Sequence, residues 1–171
     1  MLIFETGLWV GKGSVLIEGN SLGQNIGFDL TIKEEADGLN LIGTCDGFLN
    51  APLSARIAKN EFGVYVIDFV LGDLSMEGTA KLESEPALAL LWKQSEESCA
   101  SLTLFRVSDG FGCRGFFREP AGTQTWEIKF VKKVKAVGGA NVFSLAKRRR
   151  LSALGYLRWG VNSCSICSER V

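Results

Sequence analysis

The chain has 171 residues, 46% of them hydrophobic and 22% charged, with 19 Lys/Arg against 19 Asp/Glu. That length and composition fit one soluble domain with an appendage, long enough to bury a core without staples. There is no histidine, which excludes His-based triads and removes the usual general base and the commonest metal ligand.

The neutral total conceals two unlike parts. Residues 1–131 hold ten Lys/Arg against eighteen Asp/Glu, a net of −8, and residues 132–171 hold nine against one, a net of +8. Twenty glycines with only three prolines suit strands joined by tight turns and bulges. The N-terminal Met1-Leu2-Ile3-Phe4-Glu5 lacks a basic n-region and a long apolar run. No signal peptide is therefore expected, and the five cysteines are expected to be reduced, in the cytoplasm. No apolar run approaches the roughly 18 residues of a membrane span.

In chain order, a first strand is predicted from Leu8 to Glu18, followed by the turn Gly19-Asn20-Ser21-Leu22-Gly23, whose residues tolerate positive φ. The second, Ile26 to Glu34, alternates Phe28, Leu30 and Ile32 with Asp29, Thr31 and Lys33, the period of a half-buried strand. Asp37-Gly38 is a hairpin signal. Strands follow at Leu39–Cys45, Pro52–Lys59, Val64–Leu71 and Leu74–Leu82. Val64–Leu71 is apolar on both faces except at Asp68. Ala87–Lys93 reads as a strand, though its Ala and Leu content also suits a short helix. The last three are Cys99–Val107, Phe111–Arg118 and Thr123–Lys132. Ten strands with short turns predict an all-β fold, an antiparallel up-and-down meander that closes into a barrel and so removes its unpaired edges.

The pattern stops past Lys133, where Gly138-Gly139 and the run Lys147-Arg148-Arg149-Arg150 follow. The organisation expected is a barrel domain over 1–132 and a basic, poorly ordered appendage over 133–171. The break resembles a shifted reading frame, and the barrel is expected to fold without the appendage. Phosphate contacts by this basic end are a weak exception to the expectation of no nucleic-acid partner.

The opening string Gly7-Leu8-Trp9-Val10-Gly11-Lys12-Gly13 resembles the G-x-W of lipocalins and the G-x-W-x-G-x-G of nitrobindin-like barrels. The strand count is similar to that of nitrobindins and fatty-acid-binding proteins. The resemblance, to calycin-type barrels, covers residues 1–132. It implies that Trp9 closes one barrel end and that the interior holds an apolar ligand. It also implies a late-barrel Arg stacked on that Trp. The last strand offers Lys129 and no Arg, with Arg118 a stand-in. Nitrobindins hold haem through a histidine that this chain lacks, so haem is not carried over and no cofactor is expected.

Arg106 lies in line with Leu102 and Leu104, and Arg114 sits on the next strand. Two guanidinium groups inside a barrel would clamp a carboxylate; the alternative is that they lie at the rim, face solvent, or pair with Asp68 or Glu127. Tyr65 and Trp92 would give a pocket a polar tip and an aromatic wall, or else pack in the core. Asp68 lies in line with Val64, Val66 and Val70, and would be a buried carboxylate wanting a partner if that face is interior.

Other motifs lead nowhere. Gly110-Phe111-Gly112-Cys113-Arg114-Gly115 matches a dinucleotide fingerprint but sits at a hairpin. Cys164-Ser165-Ile166-Cys167 is half a zinc site with nothing to complete it. The expected function is non-enzymatic binding of a small hydrophobic or amphipathic ligand, carboxylate-bearing if the arginines face inward. The alternatives are an isomerase- or cyclase-type barrel enzyme using Asp68, Tyr65 and the arginines, and a solid-core structural or interaction module.

Overall fold

In the computed structural model, residues 3–93 and 97–133 are described. They form ten strands: β1 (Gly7–Ile17), β2 (Gln24–Glu35), β3 (Gly38–Gly47), β4 (Ala51–Lys59), β5 (Tyr65–Leu71), β6 (Leu74–Lys81), β7 (Ala87–Lys93), β8 (Ser98–Val107), β9 (Gly110–Glu119) and β10 (Gly122–Lys132). Each pairs antiparallel with the next, and β1 pairs with β10 to close the barrel. Closure leaves no edge strand on which another chain could extend the sheet. The basic appendage expected over 133–171 lies outside the described residues, except for Lys133.

Side chains alternate between the barrel interior and the outer wall, as a pleated strand requires. β1 turns Trp9 and Val15 inward and Lys12 and Leu16 outward; β2 turns Ile26, Phe28, Leu30 and Ile32 inward. The glycines of the opening string have a steric reason. A Cβ on Gly13 would come within 2.0 Å of the Glu127 carbonyl oxygen, and one on Gly11 within 2.5 Å of the Phe130 ring. Gly13 thus admits the β10 backbone, and Gly11 admits an aromatic ring.

That ring belongs to an aromatic column. Phe28 lies 5.7 Å from Phe130, Phe130 stacks on Phe111 at 4.7 Å, and Phe111 meets Trp9 at 5.1 Å and Phe4 edge-on at 5.4 Å. Offset and tilted pairs at these separations suit the ring quadrupoles. The column tethers the segment before β1 to the barrel.

The two ends differ. At the Trp9 end the inward-facing apolar strand residues are buried, among them Trp9, Ile32, Leu39, Ile57, Tyr65, Leu104 and Phe111. Ion pairs join the loops there: Arg56–Asp37, Lys59–Glu83, Arg106–Glu85, Lys129–Asp109 and Lys132–Glu5. All are solvent-exposed, so each contributes little to stability. At the opposite end a set of inward-facing apolar residues is only half-buried, although Val15, Cys45, Leu53 and Leu91 there are buried.

Candidate functional site: an open apolar mouth

The half-buried inward residues come from six of the ten strands. Ile17 comes from β1, Phe69 and Leu71 from β5, Leu74 from β6, Leu102 from β8, Phe117 from β9 and Trp126 from β10. Phe48, in the β3–β4 loop, packs with them against the core. Leu102 and Trp126 each pair with Gly115, so the three occupy one row across β8, β9 and β10. A Cβ on Gly115 would approach the Trp126 ring to 2.8 Å, and the absence of a side chain there lets the indole lie over β9. Beneath this mouth Ile26, Met76, Leu91 and Cys113 are buried.

At the rim sits Ser98, the first residue of β8 and the partner of Lys93 in register. Its alternation with Ala100, Leu102 and Leu104 faces it inward. It is only 4% exposed, and its hydroxyl has no hydrogen-bond partner among the described residues. A buried unpaired hydroxyl is costly, so this group stands out in an otherwise apolar interior.

The residues singled out from sequence do not assemble into one site. Tyr65 is inward and buried, but it lies at the closed end, where its hydroxyl donates to Glu83 Oε1 at 3.0 Å. Burial, reinforced by the Glu83 carboxylate, pushes its phenol above the usual range. The hydrogen bond from Lys59 holds Glu83 below the usual carboxylate range. Asp68 faces outward, because β5 turns Tyr65, Ile67 and Phe69 inward and Val66, Asp68 and Val70 outward. Both faces of β5 are apolar, so the carboxylate and the larger aromatic area decide the orientation: the acid avoids burial while the rings gain it.

Arg106 keeps the parity of Leu102 and Leu104, but it falls at the end of β8 and its guanidinium reaches Glu85 at 3.5 Å. Arg114 has the opposite parity to buried Phe111 and Cys113. It lies on the outer wall, over the Phe105 ring, and donates to Glu127 Oε1 at 2.7 Å. The two arginines therefore occupy a rim and an outer wall, and no carboxylate clamp forms between them. Trp92 also faces outward, level with Glu77 and Cys99. The set proposed for acid–base chemistry does not converge.

The cation over Trp9 is Lys132. Register sets it opposite Trp9, its Nζ lies 5.9 Å from the indole centroid, and it pairs with Glu5 at 2.9 Å. Lys129 faces outward to Asp109, and Arg118 lies on the outer wall of β9, level with Cys99. The Trp9 indole N–H donates to the Glu5 carbonyl at 2.9 Å, so Glu5 holds both the indole and the ammonium above it.

Two further features complete the inventory. The outer wall from β5 to β9 exposes Val66, Leu88, Leu90, Trp92 and Phe116, with Val66, Thr79, Leu90, Ser101 and Phe116 in one row. A shallow, open hollow of about 630 Å³ there is lined in part by Val64, Lys81, Leu88 and Leu90. Among the described residues no group of three or more His, Cys, Asp or Glu gathers as a metal site, and no helix is long and apolar enough to cross a membrane.

No protein family, no curated protein and no solved structure matches the chain. The fold is a closed ten-strand antiparallel β-barrel, of the general kind the opening string led one to expect.

Proposed function

We propose that the barrel binds a small apolar or amphipathic molecule at the end opposite Trp9. One observation carries this reading: partly exposed, inward-facing apolar side chains gather at one end, while the other is sealed by an aromatic column and ion-paired loops. Concave apolar surface with a few polar groups is the usual character of a small-molecule site. The step from barrel to binding is an argument by analogy, supported by that asymmetry.

The test uses the neutral fluorescent probe N-phenyl-1-naphthylamine. Saturable binding that is abolished by Leu102→Trp, which fills the mouth, and unchanged by Leu90→Lys on the outer wall supports the reading. Loss of binding with Leu90→Lys but not with Leu102→Trp would move the site outside the barrel.

A second reading, an interaction module, is favoured by the exposed apolar row on β5–β9. Glu77 and Lys81 flank that row on β6. A two-fold axis along the row would set Leu90 against Leu90 and Glu77 against Lys81 of a second copy, as an isologous contact demands. Sedimentation would then show a dimer that Leu90→Lys dissociates; a monomer at every concentration excludes it.

A further inference from the structure

From the mouth's own chemistry we infer the class of ligand, an inference that rests on the reading of the mouth as a binding site: an uncharged amphiphile whose hydroxyl or carbonyl oxygen meets Ser98, and not a carboxylate. Three observations converge. The Ser98 hydroxyl is buried, faces inward and has no partner among the described residues. Among the described residues, Ser98 is the one buried position of polar type, and the buried Tyr65 hydroxyl and Trp9 indole, at the other end, are already bonded. A ligand oxygen at the rim would satisfy it while the rest of the molecule lies against Leu102, Phe117 and Trp126. That places the polar end outward and the apolar end inward, which is the orientation an amphiphile adopts on entering from water.

Charge decides against an anion. The strand ends and loops around the mouth carry Glu18, Asp73, Glu97 and Glu119, with Lys93, the register partner of Ser98, as their basic counterpart within the rim, while Asp46 lies on the outer wall. The other nearby cation, Arg118, lies on the outer wall. A carboxylate entering here would be desolvated beside like charge, and repulsion of this kind against a wrong partner is how a site selects. The guanidinium groups of Arg106 and Arg114 do not compensate, since they lie at the far rim and the outer wall, paired with Glu85 and Glu127.

The mouth is also shallow. On β10, Phe130 of the aromatic column lies four positions beyond Trp126 at the mouth, about 13 Å of strand, and buried Ile128 fills the level between them. Compounds with one polar end on a ten-carbon chain serve as probes. Displacement of N-phenyl-1-naphthylamine from the full chain at pH 7 is measured with decan-1-ol, methyl decanoate and decanoate. The expected result is that the alcohol or the ester competes at least tenfold more tightly than the carboxylate. Ser98→Ala should weaken the better neutral competitor about three- to tenfold relative to the probe's own affinity measured on the same variant, the range of one net hydrogen bond. Glu97→Gln with Glu119→Gln should bring decanoate closer to the neutral compounds.

Decanoate competing as well as decan-1-ol and the ester, or Ser98→Ala leaving both neutral competitors unaffected, overturns the assignment while mouth binding stands. Failure of the probe to bind, or binding indifferent to Leu102→Trp, removes mouth binding and the ligand assignment together.

Discussion

Replacing Trp9 with alanine removes the largest side chain at the sealed end, and the structure lets the cost be worked out. The residue is 4% exposed. A buried Trp withdraws on the order of 200 Å² from water, which at about 25 cal/mol/Å² corresponds to about 5 kcal/mol as an upper bound. The contact with Phe111 at 5.1 Å is lost, and so is the hydrogen bond to the Glu5 carbonyl. Water can replace the donor at that part-buried carbonyl, so this bond adds about 1 kcal/mol at most. The net expectation is about 3–5 kcal/mol, as for other buried Trp truncations. Urea unfolding followed by far-ultraviolet circular dichroism measures it as a lower midpoint with unchanged slope. Trp9→Phe keeps the ring contact and should recover more than half of the loss. An effect of Trp9→Ala below about 0.5 kcal/mol, typical of a surface site, would refute the placement of Trp9 as the seal. A destabilised but folded Trp9→Phe protein should still bind the fluorescent probe at the other end.

Three other outcomes follow from the same geometry. Gly13→Ala forces a Cβ toward the Glu127 carbonyl and should cost about 1–3 kcal/mol in the same urea assay, whereas Gly19→Ala, which meets nothing nearby, should cost less despite its positive φ. Burial pushes the Cys113 and Cys45 thiols up to about 11. The folded state therefore holds these protons more tightly than the unfolded chain, so stability is full below about pH 8.5 and falls as pH rises toward 11. Thermal melts at pH 8 and 10.5 check this, and Cys113→Ala should flatten the decline. Ser98→Ala removes an unpaired buried hydroxyl and should stabilise the ligand-free barrel by about 1 kcal/mol, read as a melting temperature a few degrees higher; a lower melting temperature would show that the hydroxyl already has a partner.

The meander was legible because its turns are chemically explicit. Asp37-Gly38, Gly72-Asp73 and Asp109-Gly110 each sit where two strands meet, and Asn60 holds its turn by accepting from the Phe62 and Val64 amides. Trp9 at the barrel's end was legible from its opening string, whose glycines are demanded by neighbouring backbone and rings. Strand faces were harder. β5 is apolar on both sides, so alternation alone gave Asp68 no direction, and β7 exposes Leu88, Leu90 and Trp92 without any polar residue to mark its outer face. Lys132 was recoverable in principle, since it shares the parity of Ile128 and Phe130 and pairs with Trp9 on closure. The mouth was not, because Phe69, Phe117 and Trp126 have the same inward alternation as the sealed core. Only their distance from the aromatic column leaves them partly exposed, and that depends on the whole barrel.

Where a ligand touches the protein decides between the mouth and the outer wall. Backbone amide NMR shifts recorded during titration with decan-1-ol and with methyl decanoate address that directly. The predicted result is that perturbations from at least one of them gather at Phe69, Leu71, Ser98, Leu102, Phe117 and Trp126, with Trp9, Tyr65, Leu88 and Leu90 unmoved. Perturbations centred on Leu88, Leu90 and Phe116, or none at saturating concentrations of either compound, would contradict it.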